Sequence, residues 1–324
     1  MTPESLAEGI RRGERRALAK GITLIESSRP EDELLAARLL DGLSHTEMRG
    51  IRVGISGPPG AGKSTLIESL GMLAVGKGVP TAVLAIDPSS RRSGGSILGD
   101  KTRMPRLSAH PLAFIRPTAT GGATGGVARR TRESMVLLEA AGFELILVET
   151  VGVGQSETEV HGMVDLFMLV LLPNAGDELQ GIKRGIMELA ELLVINKADG
   201  PFRHAAETTA AQVCSALPLL HHDVTGWMPR VLLTSAQEEQ GIEAVYETIQ
   251  AFRQRAMENG ELKQRRLRQA TPWMWERVHD GLRRRFLADP TIRRLVGELE
   301  PGVENGTLGA VAAAERLLQH FFGR

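Results

Sequence analysis

The nine residues Gly57-Pro-Pro-Gly-Ala-Gly-Lys-Ser-Thr65 fit the pattern G-x-x-x-x-G-K-[ST], in which a glycine-rich turn cradles phosphate. Gly57, Gly60 and Gly62 leave successive backbone N–H groups unscreened by a Cβ, and a following helix N-terminus adds partial positive charge. Lys63 is placed to reach the β- and γ-phosphates of a nucleotide, and Ser64 to ligate Mg²⁺. Pro58, Pro59, Ala61 and Thr65 complete the turn. A second constellation, Asn196-Lys-Ala-Asp199, reads a base. A carboxylate at Asp199 accepts from both N1–H and the 2-amino group of guanine. Adenine offers neither donor in that arrangement, and a site built on such bonds discriminates by about 10⁴. Asn196 and Lys197 would brace the loops and cover the ring. Ser235 and Ala236, in Thr234-Ser-Ala236, would bring a backbone N–H to the guanine oxygen. GTP, not ATP, is the expected ligand.

Two acidic segments lie between these motifs. Glu149-Thr-Val-Gly-Val-Gly-Gln155 follows an apolar run, where P-loop enzymes place an acidic residue over Mg²⁺ and a glycine N–H that senses the γ-phosphate. Here the acid is Glu149 and the sensing glycine Gly152. Val153 stands where Ras-like proteins place their water-orienting Gln, which leaves Gln155 or a partner to supply that function and implies slow intrinsic hydrolysis. Asp87 opens a small, polar, glycine-rich stretch that ends at Asp100. Two readings stand for it: carboxylates that face a metal, or an ordinary turn in which Asp87 caps a helix. Pro173 to Glu188 likewise reads either as a helix start favoured by Asp177 and Glu178 or as an additional mobile switch.

Alternating elements must position these residues. Strand signals recur at Arg52–Ser56, Thr81–Ile86, Ala113–Arg116, Glu144–Val148, Leu166–Leu172, Leu192–Ile195 and Val231–Thr234, with helical patterns between most of them. That alternation predicts an α/β fold, a mostly parallel sheet with helices on both faces. Ligands in such sheets bind outside the carboxyl ends of the strands, where the motifs fall. Residues 1–45 predict a helical N-terminal extension of two or three short helices broken at Pro30. Residues 46–257 would be the nucleotide-binding domain, and 258–324 a helical C-terminal segment.

Composition bounds the rest. The chain has 324 residues, of which 42% are apolar, enough for a core. Lys plus Arg and Asp plus Glu number 39 each, which argues against wholesale binding to nucleic acid or to a membrane surface. The single Cys214 excludes an internal disulfide framework and suits a reducing cytosol. The first eight residues lack a basic start and an apolar run, so a cytoplasmic location is expected.

The segments Asp87-Pro-Ser-Ser90, Gly94 to Met104, Glu149 to Glu157, Gly176 to Lys183 and Asn196 to Asp199 together resemble the MeaB family. These are G-protein chaperones of methylmalonyl-CoA mutase, also called ArgK-type proteins, with the human methylmalonic aciduria type A protein as a relative. The resemblance spans about 45 to 250 closely and the ends more loosely. It implies a SIMIBI-class P-loop GTPase that gates adenosylcobalamin delivery to a B12-dependent acyl-CoA mutase and protects that enzyme. It also implies magnesium-site groups at Ser64, Asp87, Asp100, Glu149, Thr150 and the Ile86 carbonyl. Asp177 and Lys183 would belong to a third switch, and the C-terminal segment to a dimerisation arm. GTP or GDP and Mg²⁺ are then the chain's own ligands, with adenosylcobalamin reached only through the mutase.

In that C-terminal segment, Leu262, Leu267, Met274, Val278 and Leu282 predict a long helix with one apolar side. The arginines of Lys263-Gln-Arg-Arg-Leu-Arg268 and Arg283-Arg-Arg285 read as a solvated face in preference to a nucleic-acid patch. Trp273 and Trp275 read as interface anchors or as packing within one chain. Three rival functions remain on sequence grounds. A P-loop kinase is opposed by Asp199, and a signal-recognition GTPase by the absence of a Met-rich tail. A metal-insertion GTPase of the HypB or UreG kind is opposed by scarce His and Cys.

Overall fold

The computed structural model describes residues 2–27, 29–43, 50–87, 104–119, 126–150, 156–173, 184–220 and 226–323. It contains seven strands: β1 (Ile51–Ser56), β2 (Thr81–Asp87), β3 (Ala113–Ala119), β4 (Leu145–Glu149), β5 (Leu166–Leu171), β6 (Leu192–Ile195) and β7 (Arg230–Leu233). They form one sheet in the order β3-β2-β4-β1-β5-β6-β7, and every adjacent pair is parallel. β4 and β5 are buried along their whole length, as strands covered on both faces must be. Alternation divides their side chains between two cores. Ile146, Val148, Leu169 and Leu171 point to one, and Leu145, Leu147, Met168 and Val170 to the other.

The first core is closed by three N-terminal helices, α1 (Pro3–Arg11), α2 (Arg15–Glu26) and α3 (Pro30–Leu43), packed with α4 of that face (Gly126–Ala140). Thr2 caps α1 by accepting from the Ser5 N–H, and Pro3 occupies the first turn, where its missing N–H costs nothing. Ile10, Leu18, Ile22, Ile25, Leu39 and Leu43 are sealed from solvent. A Cβ on Gly21 would come within 2.9 Å of Leu137 Cδ2, so α2 packs against α4 at close range. The second core is closed by the helices Lys63–Gly76 and Ile242–Glu258. No described helix is long and apolar enough to cross a membrane.

The chain divides into two compact units, Met1–Gln269 and Ala270–Arg324. The boundary falls within one helix, α5 (Glu261–Ala288). In the first unit, the root of α5 departs from the solvated face expected of its arginines. Arg266 is buried, with Nε donating to Asp165 Oδ1 (2.8 Å) and Nη2 to Asp165 Oδ2 (2.5 Å) and the Gly50 carbonyl (2.9 Å). Arg265 donates from Nη2 to Glu191 Oε1 (2.5 Å). The reason is Asp165, fully buried ahead of β5, because a buried carboxylate demands a paired cation. Burial works against the Arg266 charge, but Asp165 and Glu139 outweigh it and hold the pKa above the ordinary arginine value. In the second unit, Met274, Trp275, Val278 and Leu282 are exposed, while Trp273 is half-buried.

Phe167 is the largest side chain sealed in the sheet. Phe167→Ala is expected to lower unfolding free energy by about 3–5 kcal/mol in urea denaturation of the full chain.

Candidate functional site

β1 runs into the turn 57–62 and then the helix Lys63–Gly76, so the glycine-rich motif joins a buried strand to a helix N-terminus. Two glycines are obligatory for steric reasons. Gly57 has φ 150°, and a Cβ there would sit 2.1 Å from the Val170 carbonyl oxygen of β5. Gly62 has φ 83°, and its Cβ would sit 2.6 Å from Asn196 Nδ2. Gly60 also has positive φ, Pro59 and Gly60 are exposed, Ala61 is buried, and Thr65 faces solvent. Lys63 lies folded over this turn, donating from Nζ to the Gly57 carbonyl (2.8 Å) and the Pro58 carbonyl (3.1 Å). Burial lowers its pKa, and the negative charges of Glu149 and Glu157 partly restore it.

Beside the turn, Ser64 Oγ donates to Glu149 Oε1 at 2.8 Å. Glu149 ends β4, between β1 and β2, so its carboxylate lies at the same sheet edge as the cradle. A hydroxyl and a carboxylate converging there give an all-oxygen donor pair that fits a hard divalent cation such as Mg²⁺. Ile86 and Asp87 are the last two residues of β2 and share that edge. Thr150 is buried, and its hydroxyl faces the sheet, donating to Ser56 Oγ (2.9 Å) or the Ile55 carbonyl (3.3 Å). Asp100, Gly152, Gln155, Asp177 and Lys183 lie outside the described residues.

Three strand-end loops meet on one amide. Asn196, at the end of β6, donates from Nδ2 to the Ala61 carbonyl (2.8 Å). Its Oδ1 accepts from Thr234 Oγ1 and the Ala236 N–H, both at 3.1 Å. The loops after β6 and β7 are thereby fastened to the turn 57–62. Lys197 is exposed with φ 62°, a left-handed conformation that turns the chain sharply between Asn196 and Asp199. Asp199 is half-buried and accepts a short hydrogen bond from Ser235 Oγ, so the two sequence-derived base contacts are adjacent. Ser69 Oγ, on the helix after the phosphate turn, donates to the Ala236 carbonyl at 2.8 Å.

Sequence alone assigns no role to Thr234, Ser69 or Glu157. Thr234 and Ser69 hold Asn196 and Ala236 in place. Glu157, fully buried in the first turn of the helix Ser156–His161, is one of the two carboxylates acting on Lys63. Its only sequence signal is an acid just after the glycine run at 152–154.

A parallel sheet, a G-x-x-x-x-G-K-S turn ahead of a helix, an acidic strand end and an N-K-x-D loop are features of P-loop GTPases. The family model described as "Methylmalonyl Co-A mutase-associated GTPase MeaB" matches residues 18–291. Escherichia coli "GTPase ArgK" is 44% identical, over 94% of this chain and 93% of that protein. The mouse "Methylmalonic aciduria type A homolog, mitochondrial" is also 44% identical, over 99% of this chain and 80% of that one. The crystal structure of a protein called "LAO/AO transport system kinase" superposes with a TM-score of 0.74 at 35% identity, covering 98% of this chain and 97% of the other. The chain belongs to the MeaB family, and it is a GTP hydrolase.

Asn196→Ala is expected to weaken guanine-nucleotide binding and to lower unfolding free energy by about 1–3 kcal/mol, because buried groups on Ala61, Thr234 and Ala236 lose their partner. Fluorescent-nucleotide titration and denaturant melts read the two effects separately.

Proposed function

We propose that this GTPase is a homodimeric, Mg²⁺-dependent switch that gates adenosylcobalamin delivery to a B12-dependent acyl-CoA mutase and protects that enzyme. The observation that carries the client assignment is the match to the mutase-associated family over residues 18–291, with near full-length likeness to the methylmalonic aciduria homolog. Methylmalonyl-CoA mutase or a close relative, such as isobutyryl- or 2-hydroxyisobutyryl-CoA mutase, is the client class. In the cytoplasm, GTP and GDP would alternate on the chain, while adenosylcobalamin would stay with the client.

In this reading the N–H groups of Gly60 to Thr65 hold the phosphates, and Lys63 leaves the Gly57 and Pro58 carbonyls to pair with them. Exchange of two neutral carbonyl partners for phosphate oxygens would stabilise an ammonium that burial disfavours. Ser64 and Glu149, with Asp87, Asp100 and the Ile86 carbonyl, would hold Mg²⁺, which neutralises charge on the transferred phosphoryl group. Thr150 joins that set only on leaving Ser56 and Ile55. Gly152 would sense the γ-phosphate, Gln155 or the client would orient water, and Asp177 and Lys183 would respond in a third switch. Slow hydrolysis by the chain alone, stimulated by the client, accords with Val153 in the position Ras-like proteins give to Gln.

A kinase, as the structurally similar LAO/AO protein is called, is a reading this site does not favour. Asp199 offers guanine two carboxylate acceptors, which argues for GTP, and the Ala236 N–H would serve as donor on leaving Asn196 Oδ1. Asp199→Asn is expected to move base preference from guanine to xanthine, whose 2-oxo group accepts from the new amide. Competition between GTP and XTP checks this, and unchanged guanine selectivity would remove the argument. For the client, affinity capture from the native host with GDP and with a non-hydrolysable GTP analogue is expected to retain a cobalamin-dependent mutase. Recovery of a hydrogenase or ribosomes without one would defeat the assignment.

A further inference from the structure

The sheet has a second polar centre, at the edge opposite the nucleotide loops. Arg266 holds both oxygens of Asp165 and the Gly50 carbonyl, and its Nη1 lies 2.9 Å from Glu139 Oε1. Glu139 also accepts from Arg52 Nε (3.0 Å) and Nη2 (2.6 Å), while Asp165 Oδ2 accepts from the Arg52 N–H (2.8 Å). Next to it, Arg265 binds Glu191 and the Asp165 carbonyl, and Glu191 Oε2 accepts from the Phe167 N–H at 2.7 Å. Gln269 Nε2 donates to the Val164 carbonyl at 2.8 Å. Two cations and two anions of this knot are largely or wholly buried, which a merely adhesive contact would achieve more cheaply with apolar side chains.

What the knot joins is more telling than its composition. β1 carries Arg52 at one end and the phosphate turn at the other. The helix α4 carries Glu139 near its C-terminus and starts directly after residues 120–125. Asp165 follows the helix Ser156–His161, which starts directly after the segment 151–155. Glu191 precedes β6, whose other end is Asn196. Three elements that reach the nucleotide edge therefore meet Arg265 and Arg266 through Glu139, Asp165 and Glu191, and β1 joins them through Arg52; both arginines lie in the first two turns of α5. Helix α4 is about 22 Å long, rigid enough to carry a displacement from one end of the sheet to the other. A shift of α4 or of Asp165 against β1 would leave a buried charge unpaired unless the root of α5 moved with it.

We propose that the Arg266–Asp165–Glu139–Arg52 knot couples the nucleotide site to the root of α5, residues 261–269, so that GDP and GTP set different states there. Glu139 and Asp165 act as positioning residues that touch no nucleotide. The proposal rests on the reading of this site as a guanine-nucleotide switch, and its test separates the two.

Fluorescent GDP and a fluorescent non-hydrolysable GTP analogue are titrated with Mg²⁺ into the full wild-type chain, Glu139→Gln and Arg266→Lys. Amide hydrogen exchange at 262–269 is followed in the wild type in both nucleotide states. Both nucleotides are expected to bind, and exchange at 262–269 to differ between them. Glu139→Gln keeps the shape of the side chain but removes its charge, and it is expected to move the ratio of the two dissociation constants by about fivefold or more. A structural role alone would lower stability and both affinities together, leaving that ratio unmoved. Equal exchange in the two states with an unmoved ratio overturns the coupling, while binding of neither nucleotide overturns the switch reading and the coupling with it. Should Glu139→Gln fail to fold, wild-type exchange and the Arg266→Lys ratio decide by the same criteria.

Discussion

The nucleotide edge depends on a single planar amide. β1 and β6 are separated in the sheet by β5, and β7 lies beyond β6, so the glycine-rich turn after β1 and the loops after β6 and β7 have no shared strand pairing. Asn196 supplies what the sheet does not, with a donor for Ala61 and an acceptor for Thr234 and Ala236. An aspartate there would face the Ala61 carbonyl with a second acceptor. A glutamine would add a methylene where there is no room even for a side chain on Gly62, whose Cβ would sit 2.6 Å from Nδ2. The distance between phosphate cradle and base reader is thus set by side-chain chemistry.

The same edge also shows how a buried cation is stabilised. Lys63 is nearly sealed, yet it meets the carbonyls of Gly57 and Pro58 and the fields of Glu149 and Glu157. Ser64 and Glu149 are likewise bonded to each other. These polar groups bond one another and the turn carbonyls, so the site avoids the penalty of orphaned buried polar atoms.

Local chemistry made the motifs legible in the sequence. Glycines at 57 and 62, a lysine and serine after them, and the spacing of Asn196 to Asp199 carry their function in one stretch of chain, and the seven strands were legible from continuous apolar runs. What sequence could not give was long-range pairing. The arginines of Lys263 to Arg268 look like a solvated helix face, because the aspartate that buries Arg266 lies 101 residues away. Ser69 and Ala236, 167 residues apart, and Asn196 and Ala61, 135 apart, pose the same difficulty. The N-terminal helices were visible by period, but their place in one core with the helix Gly126–Ala140 follows from packing at Gly21 and Leu137.

A parallel sheet concentrates its ligand loops at the carboxyl ends of its strands and leaves the amino ends to structure. In this chain that second edge is not covered by apolar side chains alone. Arg52, Glu139, Asp165, Glu191, Arg265 and Arg266 place directional, charge-assisted bonds there, and these specify geometry in a way apolar contacts do not. Apolar packing is non-directional, whereas a bidentate arginine pair in a dry site holds its carboxylate in one orientation. The first unit therefore has two edges of directional polar bonds joined by one sheet. That arrangement keeps the relation of one edge to the other sharply defined while the sheet between them stays rigid.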